Sequence, residues 1–309
     1  MKMMTRLQGP ALGGISVAFL VMNTIFWSTP LFAVAFLKLI TPGRKAREAY
    51  NTVLNNIASS WIACNNFGLG HTRTIKWDVE GTDGLDPNGW YLVLCNHQSW
   101  VDIPVLQKVF HHRIPFLKFF VKKELIWVPI LGLDWWALEF PFMKRYSKAF
   151  LKKNPHLRGK DLEITKRACE KFKNTPISIM NFAEGTRFTP EKHQAQRSPY
   201  ANLLRPKAGG TSFVLSAMGS QITHILNVTI VYPDCEDKGF WAFLCGRVTH
   251  VVMRIETIPV TENLLGNYME DDEFREGFQR WISDLWTQKN LCIEKILTRV
   301  DARHPFVSK

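Results

Sequence analysis

The chain has 309 residues, of which 46% are apolar, and a formal net charge of +12 at neutral pH. Its length allows one large domain or two small ones, and its apolar content excludes an intrinsically disordered chain. The positive charge favours an anionic partner, which could be nucleic acid, an anionic lipid surface, or a phosphorylated or CoA-linked substrate.

The N-terminal stretch 7–37 contains no charged residue. At ~1.5 Å per residue it is long enough to cross a bilayer core of ~30 Å, and it is longer than the apolar region of a signal peptide. We therefore expect a retained membrane anchor rather than a buried helix of a soluble domain. Pro30 could kink a single spanning helix, or it could mark the bend of a re-entrant hairpin.

Residues 47–72 carry apolar side chains at helical spacing. The spacing predicts an amphipathic helix, which could lie on the membrane surface or pack on the soluble part of the chain. We assign residues 1–72 to an N-terminal anchor with this amphipathic helix, and residues 73–309 to a separate soluble domain.

The soluble part alternates between strand-like and helix-like segments. Residues 75–79 alternate apolar and polar side chains, whereas 90–95 is a continuous apolar run of the kind found in strands buried on both faces. Residues 177–182 are predicted to form a second buried strand. Further strands are predicted at 225–232 and 248–258, and further helices at 208–218 and 271–300. This order predicts an α/β fold with a mixed, largely parallel sheet flanked by helices. Ligand sites in such sheets lie at the carboxyl ends of the strands.

A first polar signature, Asn-His-Gln-Ser-Trp-Val-Asp, follows the buried run 90–95 and places His97 five positions before Asp102. Histidine is a common general base, and a carboxylate can hold its second ring nitrogen in the required tautomer. Ser99 and Asp102 also fit a capping box at the start of a helix, which leaves a purely structural interpretation open.

A second signature follows the second buried strand and contains Glu184, Gly185, Thr186 and Arg187. Glycine permits a close approach of the backbone, and arginine offers a bidentate fork that suits a phosphate. A surface turn with an Arg–Glu pair is the alternative interpretation.

Together these signatures resemble those of the glycerol-3-phosphate / 1-acylglycerol-3-phosphate acyltransferase family. That family carries Asn-His-x-Ser-x-x-Asp, Phe-x-x-Arg and Phe-Pro-Glu-Gly-Thr-Arg in this order, and the chain has their counterparts at 96–102, 142–145 and 182–187. The residues of the last two motifs, at 142–145 and 182–187, look most like those of the branch with lysocardiolipin acyltransferases and their bacterial relatives. Two departures stand out: Ala183 replaces the proline of the third motif, and 227–230 lacks the proline of the fourth. We therefore assign no site residue to that fourth segment.

The resemblance implies an acyltransferase domain over 73–309 that moves a fatty acyl group from acyl-CoA or acyl carrier protein to the free hydroxyl of a lysophospholipid. The expected acceptor is 1-acyl-sn-glycerol-3-phosphate, which gives phosphatidate; remodelling of another lysophospholipid and lipid hydrolysis are the alternatives. It also implies the roles of the site residues. His97 would act as the base of this His-x4-Asp motif and Asp102 would orient it, while the acceptor site would contain Arg145, Glu184, Gly185, Thr186 and Arg187.

The same resemblance implies no metal and no bound cofactor, because the thioester is already activated. Six scattered cysteines without a Cys-x-x-Cys pair agree with free thiols in a reducing compartment. Membrane lipids are the expected partner rather than nucleic acid, with the catalytic domain on the cytoplasmic face of a bacterial inner membrane. The apolar stretch 125–138, rich in tryptophan, could wall an acyl-chain tunnel or consist of ordinary core and interfacial aromatic residues.

Overall fold

The protein is described by a computed structural model, which covers residues 2–71, 74–143, 163, 169, 172, 175–219, 221–233, 235 and 237–303. Within these residues eight helices of the α type are found. They are α1 (Lys2–Ile40), α2 (Arg44–His71), α3 (Asp102–Phe110), α4 (Leu131–Ala137), α5 (Pro190–Gln196), α6 (Ala208–Met218), α7 (Phe240–Leu244) and α8 (Asp272–Arg303). Two short 3-10 helices cover Lys123–Trp127 and Glu262–Leu264.

Eight strands lie in the same described residues. They are β1 (Lys76–Glu80), β2 (Tyr91–Cys95), β3 (Leu117–Phe119), β4 (Val121–Lys122), β5 (Phe142–Met143), β6 (Ser178–Phe182), β7 (His224–Val231) and β8 (His250–Pro259). Six of them form one sheet in the order β1-β8-β7-β2-β6-β3, and β4 pairs with β5 in a second, parallel one. In the large sheet β8 runs antiparallel to β7, and all other neighbours are parallel. The predicted mixed, largely parallel sheet is confirmed.

The central strands bring the two signatures to the same end of the sheet, where the carboxyl ends of β2 and β6 lie side by side. Cys95, the last residue of β2, pairs with Phe182, the last residue of β6, and on its other side with Val228 of β7. Because these strands are parallel, the chain leaves β2 and β6 at the same end and one strand spacing apart. The loop that starts at Asn96 and the loop that starts at Ala183 are therefore neighbours.

Helices cover both faces of this sheet. Leu92 and Leu94 of β2 point into a core formed with α6 and α8. Tyr91 and Val93 point the other way, into a core formed with α3 and α7. This alternation is the period of two expected of a strand, and burial on both faces explains why the sequence of β2 is a continuous apolar run.

The N-terminal segment forms a helical hairpin. Helix α1 continues without a break through Pro30. Of the two alternatives for this proline, the structure therefore has one continuous helix and not a re-entrant bend at Pro30. The chain reverses after Ile40, where Gly43 has a φ of 106°. The hairpin closes on its own apolar contacts, because Leu31 and Ala35 of α1 are buried in the same cluster as Leu54 and Ala58 of α2. By length and composition, 9–40 could cross a membrane.

Both helices of the hairpin also contact the rest of the chain. Along α1, Ser16 Oγ donates to the carbonyl oxygen of Leu244 at 3.3 Å, Ser28 Oγ donates to Asp134 Oδ2 at 2.8 Å, and Lys38 Nζ lies 2.8 Å from Glu139 Oε1. Of the two positions open to α2, packing on the domain is the one observed: Ser59 Oγ lies 3.1 Å from Nε2 of His111, directly after α3.

Candidate active site

The loop after β2 is fixed to β7 by the side chain of Asn96. Its amide nitrogen donates to the carbonyl oxygen of Ile230, and its amide oxygen accepts from the backbone N–H of Ile230, both at 2.9 Å. A buried amide side chain that bonds both the N–H and the C=O of one residue makes the same two hydrogen bonds as a neighbouring strand would. The loop therefore leaves the sheet in a defined direction, which sets the position of His97.

His97 and Asp102 form a hydrogen-bonded pair. Nδ1 of His97 lies 2.8 Å from Oδ2 of Asp102, and the imidazole stacks on the ring of Phe182 with centroids 3.9 Å apart. The carboxylate is inaccessible to solvent, whereas the histidine side chain retains 13% exposure. Among the described residues none hydrogen-bonds to Nε2, the second ring nitrogen of His97. The arrangement holds one nitrogen and leaves the other for a reactant.

Asp102 is held by three further donors. The backbone N–H groups of Gln98 and Ser99 donate to Oδ2 at 2.7 and 2.9 Å, and the hydroxyl of Tyr232 donates to Oδ1 at 2.7 Å. A buried carboxylate needs such partners, because a charge left unpaired in the interior is costly. These bonds fix the plane of the carboxylate and with it the orientation of the imidazole.

Tyr232 is a site residue that the sequence interpretation missed. It is fully buried directly after β7, and burial together with the adjacent Asp102 raises the pKa of its hydroxyl well above the usual value. The sequence predicts no site residue in 227–230, just before it, because the family's proline is absent there. The signal that could have found it is its place: a polar aromatic residue at the carboxyl end of a central strand lies where ligand sites form.

The capping-box interpretation of Ser99 is confirmed in part. Helix α3 begins at Asp102, with Val101 directly before it, but Ser99 Oγ accepts from the backbone N–H of Val101 at 3.1 Å and Asp102 Oδ2 accepts from the backbone N–H of Ser99 at 2.9 Å. Ser99 Oγ also donates to the carbonyl oxygen of Lys238. Because the serine hydroxyl donates to that carbonyl and not to His97, it is not set up as a nucleophile.

Glu184 lies beneath the site and not on its surface. Its carboxylate is fully buried, and its two oxygens accept from the backbone N–H groups of His97 at 3.2 Å and Leu204 at 3.1 Å. Burial raises the pKa of this carboxyl to about 8, against the lowering effect of those two bonds and of Lys289. Glu184 therefore ties the His97 loop to the loop before α6.

The next three residues lead from this buried anchor to the surface. Gly185 has a φ of 71°, and a Cβ there would lie 3.0 Å from Nζ of Lys207. Lys192 Nζ donates to Thr186 Oγ1 at 2.9 Å and to the carbonyl oxygen of Arg187 at 3.0 Å. The turn thus needs glycine, and its far side is held by a lysine of α5.

Arg187 lies on a loop that is hydrogen-bonded to the His97 loop. The backbone N–H of Phe188 donates to the carbonyl oxygen of His97 at 2.7 Å, so the two loops are joined directly beside Arg187. Its guanidinium lies over the ring of Trp100, with Cζ 4.4 Å from the ring centroid. Within the described part of the chain, no carboxylate oxygen lies within 4.0 Å of that guanidinium. Arg145, the other predicted phosphate ligand, lies outside the described residues.

In the tryptophan-rich stretch 125–138, the described residues divide between surface and core and form no enclosed tunnel among themselves. Trp127 is 86% exposed and Trp136 is 47% exposed, whereas Trp135 packs against the cluster that holds the helical hairpin. Trp127 and Trp136 form an apolar rim on the outside of the molecule.

As chemistry, the site combines a histidine that can take a proton with a cation that can hold an anion. A hydroxyl placed at Nε2 of His97 would be deprotonated as it attacks an electrophile, while Asp102 stabilises the resulting imidazolium. An anionic group on the same molecule would meet Arg187.

A family model described as Acyltransferase matches residues 76–232, just over half of the chain. Among curated proteins, 1-acyl-sn-glycerol-3-phosphate acyltransferase 3 of Arabidopsis thaliana is 25% identical over 92% of this chain and 74% of its own length. The delta form of Bos taurus is 26% identical over 53% of this chain, which spans 46% of that relative. A solved structure, the 1-acyl-sn-glycerophosphate (LPA) acyltransferase PlsC from Thermotoga maritima, is similar with a TM-score of 0.50 at 19% identity, covering 91% of this chain and 97% of that one.

Proposed function

Because the chain belongs to the acyltransferase family, we propose that it transfers a fatty acyl group from acyl-CoA or acyl carrier protein to 1-acyl-sn-glycerol-3-phosphate, giving phosphatidate. The observation that carries this proposal is the hydrogen-bonded pair of His97 and Asp102, whose loop is bonded directly to the loop of Arg187. The curated relatives named above bear the name of this reaction, which supports the choice of acceptor.

In the proposed mechanism Nε2 of His97 takes the proton of the acceptor hydroxyl. The hydroxyl oxygen forms a bond to the thioester carbonyl carbon, the carbon–sulfur bond breaks, and the imidazolium returns the proton to the leaving thiolate. Asp102 accepts from Nδ1 throughout and stabilises the imidazolium between these steps. A thioester needs no further activation, so we propose neither a metal nor a bound cofactor.

The acceptor phosphate is assigned to Arg187, together with Arg145 as an expectation from the motif. Thr186 belongs to the same turn, and Gly185 lets that turn form. Glu184 has both oxygens occupied by backbone amides, so we assign it the positioning of the His97 loop and not a contact with the acceptor.

The alternatives fit the site less well. Lipid hydrolysis through Ser99 would need its hydroxyl next to His97, but that hydroxyl bonds the carbonyl oxygen of Lys238. A remodelling acyltransferase for another lysophospholipid would use the same base and the same arginine, and it differs from the proposed enzyme in the headgroup alone.

The function is tested with purified protein, lysophosphatidate and a panel of acyl-CoA and acyl carrier protein donors, with products read by mass spectrometry. Phosphatidate that is formed by the wild type and lost with His97→Ala supports the proposal. Preferred use of another lysophospholipid would make it a remodelling enzyme, and release of free fatty acid without transfer would contradict it.

We further propose that the protein is attached to the membrane by the outer face of α1. Large apolar side chains on this face are exposed, including Ile15, Met22, Ile25, Phe26, Phe36 and Leu39. The contacts of α1 with the domain run from Ser16 to Lys38, which is about 33 Å of helix at ~1.5 Å per residue. A helix held along the domain over that length suits insertion into one leaflet better than a separate span.

Charge supports a proposal for the side of the membrane. The chain carries +12, and each basic residue near an anionic leaflet contributes ~1 kcal/mol of attraction. We propose that the catalytic domain lies on the cytoplasmic face of a bacterial inner membrane, where acyl donors are available.

A further inference from the structure

We propose that Trp100 is a positioning residue that holds Arg187 in place for the phosphate of the acceptor. This inference rests on the proposed function, because it needs Arg187 to bind that phosphate. It concerns a residue that lies between His97 and Asp102 in the sequence and has no role in proton transfer.

The peptide bond that follows Arg187 is held at both of its polar groups. Its N–H, from Phe188, donates to the carbonyl oxygen of His97 at 2.7 Å, and its carbonyl oxygen, from Arg187, accepts from Lys192 Nζ at 3.0 Å. The base of the side chain therefore starts from a defined point next to the catalytic loop.

The side chain of Arg187 has a different kind of support. Among the described residues it forms no ion pair. Its guanidinium lies over the ring of Trp100, with Cζ 4.4 Å from the ring centroid. An arginine held by a carboxylate has donors occupied and charge neutralised. An arginine stacked on a ring keeps its N–H donors available for a bidentate bond to phosphate.

The stack is open to solvent beside the catalytic pair. Trp100 is 48% exposed although it lies between the two residues of that pair, of which Asp102 is fully buried. One face of its ring is occupied by the guanidinium of Arg187. Ordering this long flexible side chain before binding lowers the entropy lost when the acceptor arrives.

The test uses acceptors with and without phosphate. We compare kcat/KM for lysophosphatidate with kcat/KM for monoacylglycerol in detergent micelles, with one acyl-CoA throughout. Trp100→Leu keeps an apolar side chain without a π face, and Trp100→Phe keeps a smaller ring. We expect Trp100→Leu to lower the preference for the phosphate-bearing acceptor about 3- to 30-fold, through the KM for lysophosphatidate, and Trp100→Phe to recover part of it.

Two further variants make the result specific. In an Arg187→Ala background, Trp100→Leu should not lower the preference again, because the pair acts as a unit. Trp127→Leu is the matched control: it removes another exposed tryptophan that is not stacked on Arg187, and the preference between the two acceptors should be unchanged.

The outcomes separate this inference from the proposed function. Loss of the preference with Arg187→Ala but not with Trp100→Leu overturns the role of Trp100 alone. Equal loss for both acceptors with Trp100→Leu, or additive effects in the double variant, also overturns it. A preference that survives Arg187→Ala overturns the assignment of the phosphate to this arginine, and the role of Trp100 with it.

Discussion

At the scale of single residues, the site depends on one buried carboxylate with four donors. Asp102 accepts from His97, from two backbone amides and from Tyr232. Such a network specifies one orientation, and its two side-chain donors can be removed separately without changing the backbone.

Replacing the base should remove most of the activity. We expect His97→Ala to lower kcat by ~10²–10⁴ and Asp102→Ala to do so by a similar or smaller factor, because general-base catalysis has that size. Initial rates of phosphatidate formation measure the effect, and circular dichroism checks the fold. His224→Ala, at the opposite end of β7, is the control. Near-wild-type turnover by folded His97→Ala protein would refute the mechanism.

Tyr232→Phe removes one donor to Asp102 and little else. A hydrogen bond to a charged group contributes ~1.5–3 kcal/mol, part of which acts on the orientation of His97, so we expect kcat to fall about 3- to 30-fold with KM nearly constant. Tyr200→Phe is the matched control, because its hydroxyl bonds the carbonyl oxygen of Ser283 on α8. Equal effects of the two substitutions would mean that Tyr232 acts on stability alone.

The carboxyl of Glu184 gives stability a pH dependence. Burial raises its pKa from 4.5 to about 8, so between these values the folded protein binds more protons than the unfolded chain. Stability therefore falls as the pH rises from about 5 to 8, by up to a few kcal/mol from this group. Urea unfolding of the wild type and of Glu184→Gln should show the variant gaining stability relative to the wild type over that range. A difference that is constant with pH would contradict this.

The sequence predicted some residues of the site and not others, for a physical reason. His97 and Asp102 are five positions apart, and local geometry alone lets them meet. Tyr232 is 130 residues beyond Asp102, and its contact exists because β7 lies next to β2. A short stretch of sequence does not determine the order of strands in a sheet. The contact between Tyr232 and Asp102 could therefore not be predicted from residue spacing. The burial of Glu184 has the same origin.

At the scale of elements, strands and long helices were predicted well because each has its own periodicity. The buried strands begin and end within one or two residues of their predicted positions. For the N-terminal hairpin, the sequence pattern predicts that α1 is apolar but does not predict which part of the domain packs against it. That packing depends on small residues that allow a close approach of two helices, such as Gly13 of α1 against α7.

A disulfide can test the docking of α1 on α7. A Cβ at Gly13 would lie 2.7 Å from Sγ of Cys245, so Gly13→Cys should cross-link to this native cysteine on mild oxidation. Peptide mapping by mass spectrometry detects the link. At Gly14 a Cβ would meet nothing within 4 Å, so Gly14→Cys is the matched control and should stay reduced. Because this Cβ would also lie 2.9 Å from Cη2 of Trp241, a small side-chain shift must accompany the link, and no cross-link at position 13 would count against the close docking of α1 on α7.

At the scale of the whole molecule, the exposed apolar face of α1 and the rim with Trp127 and Trp136 predict integral attachment. We expect the full-length protein to stay in the membrane fraction after alkaline carbonate washing, because the buried apolar area does not respond to pH or salt. Release by carbonate would refute the anchor. A periplasmic reporter fused after Lys309 should be inactive, and an active one would refute the cytoplasmic position of the domain.

The position of α1 along the domain has a consequence for how the enzyme must be assayed. An enzyme held flat on one leaflet meets its lipid acceptor by lateral diffusion, so its rate follows the mole fraction of lysophosphatidate in that leaflet. Diluting the acceptor with inert phospholipid should slow turnover at constant bulk concentration, whereas adding vesicles of unchanged composition should not. The acyl donor arrives from solution, so the rate depends on its molar concentration in the bulk. The assay must therefore state a surface concentration for the acceptor and a bulk concentration for the donor.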